Sequence, residues 1–249
     1  MEAWSEQKLL HIGAEAAVSA GLFLGLPAVR KVRRPRGYRH PDLERRLTKS
    51  RMSAEARMLT RLAQTAMPVP ILLSLDAEIG EMILSLMAGE PVIECLRKDR
   101  DVVKNGDGAT ELSIAGGEES AQQILAATGR VIRSLHSRGA VHGDLTTNNL
   151  LWDDDVGISL IDFGLSSWTT EVEKMGLDLQ VLHECLTASH PEHPEAMAWV
   201  LDGYQSADED EKNGKARAAE WSGSDTPPPS AKEVLTRFDK IRSRVRYHG

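Results

Sequence analysis

The sequence predicts an α+β protein of two lobes: residues 1–89 form a small β-rich lobe with one main helix, and residues 90–249 a mostly helical one. Three observations predict it. Short apolar runs bounded by glycine and proline fill the first lobe, and helical spacing of apolar residues dominates the second. A length of 249 residues allows one or two compact domains at about 100–200 residues each. With 41% hydrophobic and 27% charged residues, wholesale disorder, collagen and disulfide-scaffold classes are excluded. No window reaches the roughly 18 uncharged apolar residues of a spanning helix. The longest candidate, 16–29, is broken by Gly21, Gly25 and Pro27. The first residues lack a basic segment followed by an apolar run, so no secretory signal is expected. Cys95 and Cys185 form no CxxC and read as free thiols of a reducing compartment.

Taken in order, residues 8–12, 17–24 and 28–32 read as three strands of an antiparallel meander. Residues 53–66 read as a helix, with Met58, Leu59 and Leu62 at helical spacing, Ser53 as cap, and Pro68 and Pro70 behind it. Residues 71–75 and 82–86 add two strands, giving a sheet of five. In the second lobe, 118–138 is a helix stopped by Gly139, and 150–152 and 158–161 are strands flanking an acidic turn. Helical patterns return at 177–186, 195–204 and 232–244. The stretches 99–117 and 206–230, rich in glycine, polar residues and proline, are expected to be mobile loops.

Chemistry concentrates in His142-Gly143-Asp144-Leu145-Thr146-Thr147-Asn148-Asn149 and Leu160-Ile161-Asp162-Phe163-Gly164. Asp144 suits a group that takes or orients the proton of an attacking hydroxyl. Asn149, five residues on, and Asp162, thirteen beyond, offer the hard oxygens that Mg²⁺ prefers, with nucleotide phosphates completing its shell. A hairpin between them would return Asn149 to Asp162. In this order and spacing they form a protein-kinase-like catalytic core, with Gly143 where arginine is usual. That arginine normally pairs with a phosphorylated activation segment, so no such switch is expected. The sixteen residues from Asp162 to Asp178 contain no Ala-Pro-Glu, which leaves little room for a peptide-docking platform. Upstream, Lys31 is the expected phosphate clamp, with Arg30 and Arg33 as competing choices. Strand alternation separates Lys31 from Arg30. Glu55 is its expected anchor, unless it is a helix-surface residue paired with Arg51 or Arg57. The phosphate-covering loop falls at Gly13-Ala14-Glu15, which is not GxGxxG, and the hinge at Ser85-Leu86-Met87.

Gly13-Ala14-Glu15-Ala16, Lys31…Pro35-Arg36-Gly37-Tyr38-Arg39-His40-Pro41-Asp42-Leu43, Glu55-Ala56-Arg57, the 142–149 loop and Ile161–Leu165 together resemble the small atypical kinase subunit of the KEOPS (EKC) complex. The resemblance runs over nearly the whole chain, including Lys174…Gly176…Asp178 and the Ile241-Arg242-Ser243-Arg244-Val245-Arg246 tail. It implies a minimal bilobal protein-kinase-like fold that binds ATP and Mg²⁺, with its cleft between 1–89 and 90–249. It also implies Ser/Thr kinase or ATPase activity supporting threonylcarbamoyl-adenosine modification of tRNA, in cytoplasm and nucleus. The implied catalytic set is Asp144, Lys31 and Glu55. Gly13, Ala14, Glu15, Lys31, Leu86, Asn149 and Asp162 hold nucleotide, and Asn149 and Asp162 hold metal. The implied partners are the catalytic tRNA-modifying subunit, on the second lobe and C-terminal tail, and a small subunit on the first lobe, with no membrane. The hinge departs from the family's acidic residues, and the tail is less basic than usual.

Two other functions fit the same residues: a nucleotide-gated scaffold in that complex, or a small-molecule phosphotransferase. His190-Pro191-Glu192-His193 has metal-ligand residues but reads as a polar helix end, because two prolines break the face. The net charge of -7 conceals a dipolar chain. Residues 30–61 hold twelve Lys/Arg against three Asp/Glu, and 232–248 six against two. Either run is an ordinary solvated face or, jointly, a footprint for tRNA phosphates.

Overall fold

The computed structural model describes residues 3–13, 16–34, 40–98, 117–212 and 227–246. It contains two compact units, Met1–Met87 with Asp162–Leu165, and Ala88–Ile161 with Ser166–Gly249. The first therefore ends two residues before the expected boundary and takes in the segment after the second strand pair.

In the first unit, strands β1 (Trp4–Ile12), β2 (Ala16–Phe23) and β3 (Leu26–Arg33) form the expected meander. Helix α1 (Pro41–Gln64) then crosses to β4 (Leu72–Asp76) and β5 (Glu81–Ser85). The sheet order is β1-β2-β3-β5-β4, antiparallel throughout, so the later hairpin adds β5 to β3 and leaves β4 at the edge. Helix α1 starts twelve residues before the expected Ser53, which lies inside it. The start is encoded at His40-Pro41-Asp42: proline fits the first helical position, and Asp42 and Glu44 face the positive end of the helix dipole. The buried face of α1 runs Met52, Glu55, Ala56, Leu59, Leu62, a helical stripe with one carboxylate set into it.

The second unit opens with β6 (Glu90–Pro91) and helix α2 (Val92–Lys98), neither expected from the sequence, because seven residues give helical periodicity too little length. Then follow α3 (Gly117–Ser137), β7 (Ala140–Val141), β8 (Leu150–Asp153), β9 (Gly157–Leu160), β10 (Ser167–Trp168), α4 (Val172–Ser189), α5 (Ala196–Lys212) and α6 (Ala231–Arg246). The loop expected over 206–230 is corrected at its near end: residues 206–212 continue α5, where Asp208 is engaged by Arg133. Residues 213–226, and 99–116 of the other expected loop, lie outside the described residues. Gly139, with φ +67, ends the turn after α3 as its position suggested. No described helix is long and apolar enough to cross a membrane.

The core of the second unit is the contact of α3 with α5. A Cβ on Gly129 would overlap the Val200 carbonyl, and one on Gly203 the Ala126 carbonyl. The two helices therefore meet backbone to backbone, with Leu125, Ile132, Val200 and Tyr204 buried around them. Gly129→Ala or Gly203→Ala should each destabilise the chain by about 2 kcal/mol or more, read as a lowered melting temperature, because an overfilled contact must spread. Gly25→Ala, at φ +85 in open space, should cost only about 1 kcal/mol of backbone strain. Equal melting of all three variants would contradict the close approach.

Candidate active site

In the first unit, the period of two along β3 sends Arg30 to one face and Lys31 and Arg33 to the other. Arg30 pairs with Glu81. Lys31 turns to α1, where its Nζ donates to Glu55 Oε1 at 2.8 Å and to Asp162 Oδ1 at 2.6 Å. Glu55 faces Lys31, and its side chain is 1% exposed, so it is no surface partner of Arg51 or Arg57. Burial alone would lower the Lys31 value. The two carboxylates outweigh that cost and hold its ammonium above the ordinary lysine value. Removing one member of so buried a pair would strand the other, at about 3–5 kcal/mol. Asp162 takes φ +61, a left-handed conformation that side chains seldom adopt, and the Gly164 N–H reaches back to its Oδ1 at 3.3 Å. Arg33 Nη2 lies 3.8 Å from the second oxygen of Glu55.

Of the expected nucleotide loop, Ala14 and Glu15 lie outside the described residues, and the Gly13 N–H donates to the Ala16 carbonyl at 2.9 Å. Leu86 is about half exposed, and its N–H donates to the Pro27 carbonyl at 3.3 Å.

In the second unit, β8 and β9 form the expected hairpin, and at its open end the Ile161 N–H donates to the Asn149 carbonyl at 3.0 Å. Asn149 Nδ2 donates to the Asp144 carbonyl at 2.9 Å and to Asp144 Oδ2 at 3.1 Å. Both amide hydrogens are thus spent on Asp144, which turns the carbonyl oxygen of Asn149 away from it. His142 is fully buried; its Nε2 donates to the Ile161 carbonyl at 2.9 Å, and its Nδ1 accepts from the Asp144 N–H at 3.3 Å. Gly143 has φ +82, so glycine here meets a backbone demand as well as omitting the usual arginine.

The sequence did not single out what holds this loop. Asp178, buried on α4, accepts from the His142 N–H at 2.6 Å and from the Gly143 N–H at 2.8 Å. His136 on α3 backs it: Nε2 lies 3.3 Å from Asp178 and Nδ1 2.8 Å from the Tyr204 hydroxyl. Arg133 continues the chain to Asp208 and to the Pro229 carbonyl. Burial pushes the Tyr204 hydroxyl up, so it stays a donor, and pushes His136 down, so it stays neutral. The sequence signal was a polar residue on an apolar helix face, at His136 beside Leu135. Thr147 is fixed similarly by His190, 3.2 Å away, which gives the His190–His193 stretch a structural role. Among the described residues no group of three His, Cys, Asp or Glu could hold a metal. In the second unit Asn149, and in the first the half-exposed Asp162, each offer a hard side-chain oxygen of the kind that holds a metal–nucleotide complex.

His136 carries a pH dependence. Its folded value lies below the ordinary 6.5, so the unfolded chain binds the extra proton as pH falls. Stability from this group is complete above about pH 6.5 and is lost on acidification through the window below it. His136→Gln, which can still face both partners, should flatten the fall in melting temperature between pH 7.5 and 5. An unchanged slope would remove His136 from that role.

Residues 30–201, more than half of the chain, match the family model described as lipopolysaccharide kinase (Kdo/WaaP). A bud32 EKC/KEOPS complex subunit from Emericella nidulans is 32% identical over 230 residues, covering 80% of this chain and 81% of that protein. One from Yarrowia lipolytica is 30% identical over 249 residues, covering 97% and 92%. A probable bifunctional tRNA threonylcarbamoyladenosine biosynthesis protein from Methanothermobacter thermautotrophicus is 33% identical over 216 residues, covering 86% of this chain and 36% of that longer protein. With the α+β fold and the paired constellations above, these likenesses show that the chain belongs to the protein-kinase-like Kdo/WaaP family and, with the bud32 subunits, to its kinase/ATPase-type phosphotransferases.

Proposed function

We propose that this chain transfers the terminal phosphoryl group of ATP to a Ser/Thr hydroxyl or to water, within an EKC/KEOPS-type assembly that supports threonylcarbamoyl-adenosine formation on tRNA. The observation that carries the reading is Lys31 held between Glu55 and Asp162, a cation that its surroundings keep charged. In this reading Lys31 binds α- and β-phosphate oxygens, and Glu55 keeps the ammonium in place. Asp144, fixed by Asn149, accepts or orients the hydroxyl proton of the attacking group. Asn149 and Asp162 are the protein ligands for Mg²⁺, which supplies positive charge to the phosphate oxygens. Gly13, Ala14 and Glu15 cover the phosphates, and backbone groups at Leu86 meet the adenine.

The bifunctional archaeal relative supports partnership with a tRNA-modifying protein, since this chain matches only about a third of it. That partner is assigned to the second unit and the α6 tail, and a small subunit to the first unit. There the edge strand β1 exposes Leu9, Leu10 and Ile12. A tRNA footprint is supported by the exposed Arg45, Arg46 and Lys49 of α1 and Arg244 of α6, with Arg36 and Arg39 outside the described residues. The assigned compartments are cytoplasm and nucleus, or cytoplasm alone in a prokaryote.

Asp144→Asn and Asp162→Ala should each lower phosphate release from ATP about 100-fold or more, assayed with and without the modifying partner. Turnover at the parent rate in both variants would sink the assignment. Charge reversal at Arg36, Arg39 and Arg244 should weaken tRNA binding across sequences and reduce its salt slope by about one per lost phosphate contact. Equal affinity and slope would leave the basic runs as solvated faces.

A further inference from the structure

We propose that Arg33 is a positioning residue for the phosphate clamp: it is the second cation on Glu55, and it holds that buried carboxylate in place when nucleotide phosphates draw on Lys31. The inference rests on the assignment of Lys31 and Glu55 above and assigns a role to a residue outside that set.

Lys31 has three hydrogens, and two are committed, one to Glu55 and one to Asp162. The third is left for phosphate, so the one ammonium is shared between phosphate and two carboxylates. Glu55 cannot follow or relax into water, because it is 2% exposed and its Oε2 is buried without a hydrogen bond. A buried carboxylate whose cation is shared out to phosphate is held less firmly by it. Arg33 prevents this. It stands two residues beyond Lys31 on the same face of β3, its side chain is 9% exposed, and its Nη2 is 3.8 Å from Glu55 Oε2. A guanidinium does not deprotonate in proteins, so its charge persists whatever Lys31 is doing.

Gly164 lies against the cluster. A Cβ there would lie 3.2 Å from Asp162 Oδ1, 3.5 Å from Arg33 Nη2 and 3.7 Å from Glu55 Oε2. Both carboxylates and the second cation thus converge on a backbone position without a side chain. Lys31 and Arg33 balance the charges of Glu55 and Asp162, where lysine alone would leave the two carboxylates in excess and the surroundings less receptive to a polyanion.

The test is a double-mutant cycle on the full chain, reading the Kd for Mg-ATP by calorimetry, with melting temperatures alongside. Arg33→Met and Glu55→Gln should each weaken binding about tenfold, and the double variant about tenfold also, since the two act as one unit. Arg33→Lys should restore binding to within about threefold of the parent chain, because the charge returns. A double variant weakened about 100-fold, the product of the singles, overturns the proposal by making Arg33 independent of Glu55. Parent-like binding by Arg33→Met overturns it equally, and so does a lowered melting temperature with unchanged Kd, the mark of a purely structural residue. Lys31→Met separates the two levels. If it binds Mg-ATP as the parent does, the clamp itself is wrong; if it binds weakly while the cycle is multiplicative, only the role of Arg33 falls.

Discussion

The site is organised around a cation that two acids share. Lys31 is buried in a sheet where desolvation works against its charge, and Glu55 and Asp162, which meet it from different stretches of chain, more than offset that cost. Glu55 is delivered by an apolar helix stripe in which it occupies one buried place. Asp162 is delivered by a left-handed backbone turn that glycine would adopt at less cost. Both features are unfavourable taken alone, and the ion pairing offsets them. The segment Asp162–Leu165 accordingly packs with the first unit, although its chain neighbours on both sides belong to the second.

The second unit fixes its own polar groups by a separate device. Its loop residues are held through the backbone, with the His142 and Gly143 amides donating to one buried carboxylate. The Asp144 side chain is oriented by the Asn149 amide. The backbone-to-backbone contact of α3 with α5 sets the spacing of the helices that carry His136 and Tyr204, so a packing detail decides whether that carboxylate has its support.

Much of the fold was legible because short-range chemistry wrote it. Glycine and proline punctuated the strands, and the spacing of Asp144, Asn149 and Asp162 described a loop and hairpin that the structure contains. Alternation along β3 by itself separates Lys31 from Arg30. Illegible features had causes that span the chain. The early start of α1 lay in His40-Pro41-Asp42, capping chemistry that apolar periodicity does not register. Helix α2 was too short to show a period. Asp178 reads in sequence as one more acid on a helix, and only the approach of α4 to the 142–149 loop makes it a support. Arg33 shared Lys31's face in the pattern, but nothing local revealed that Glu55 had a second oxygen to satisfy.

Every hydrogen bond at Asp178 runs toward it. Two backbone amides and a neutral imidazole, itself supplied by the Tyr204 hydroxyl, all act as donors. The position therefore specifies polarity as well as shape. Asparagine would fill the same volume, yet its amide nitrogen would point hydrogens at a ring of hydrogens. Its oxygen could satisfy only part of the set, and the imidazole would have to switch tautomer and turn the Tyr204 hydroxyl from donor to acceptor to compensate. At this buried position an isostere is thus no conservative replacement, because the hydrogen bonds around Asp178 are directional and converge on its carboxylate.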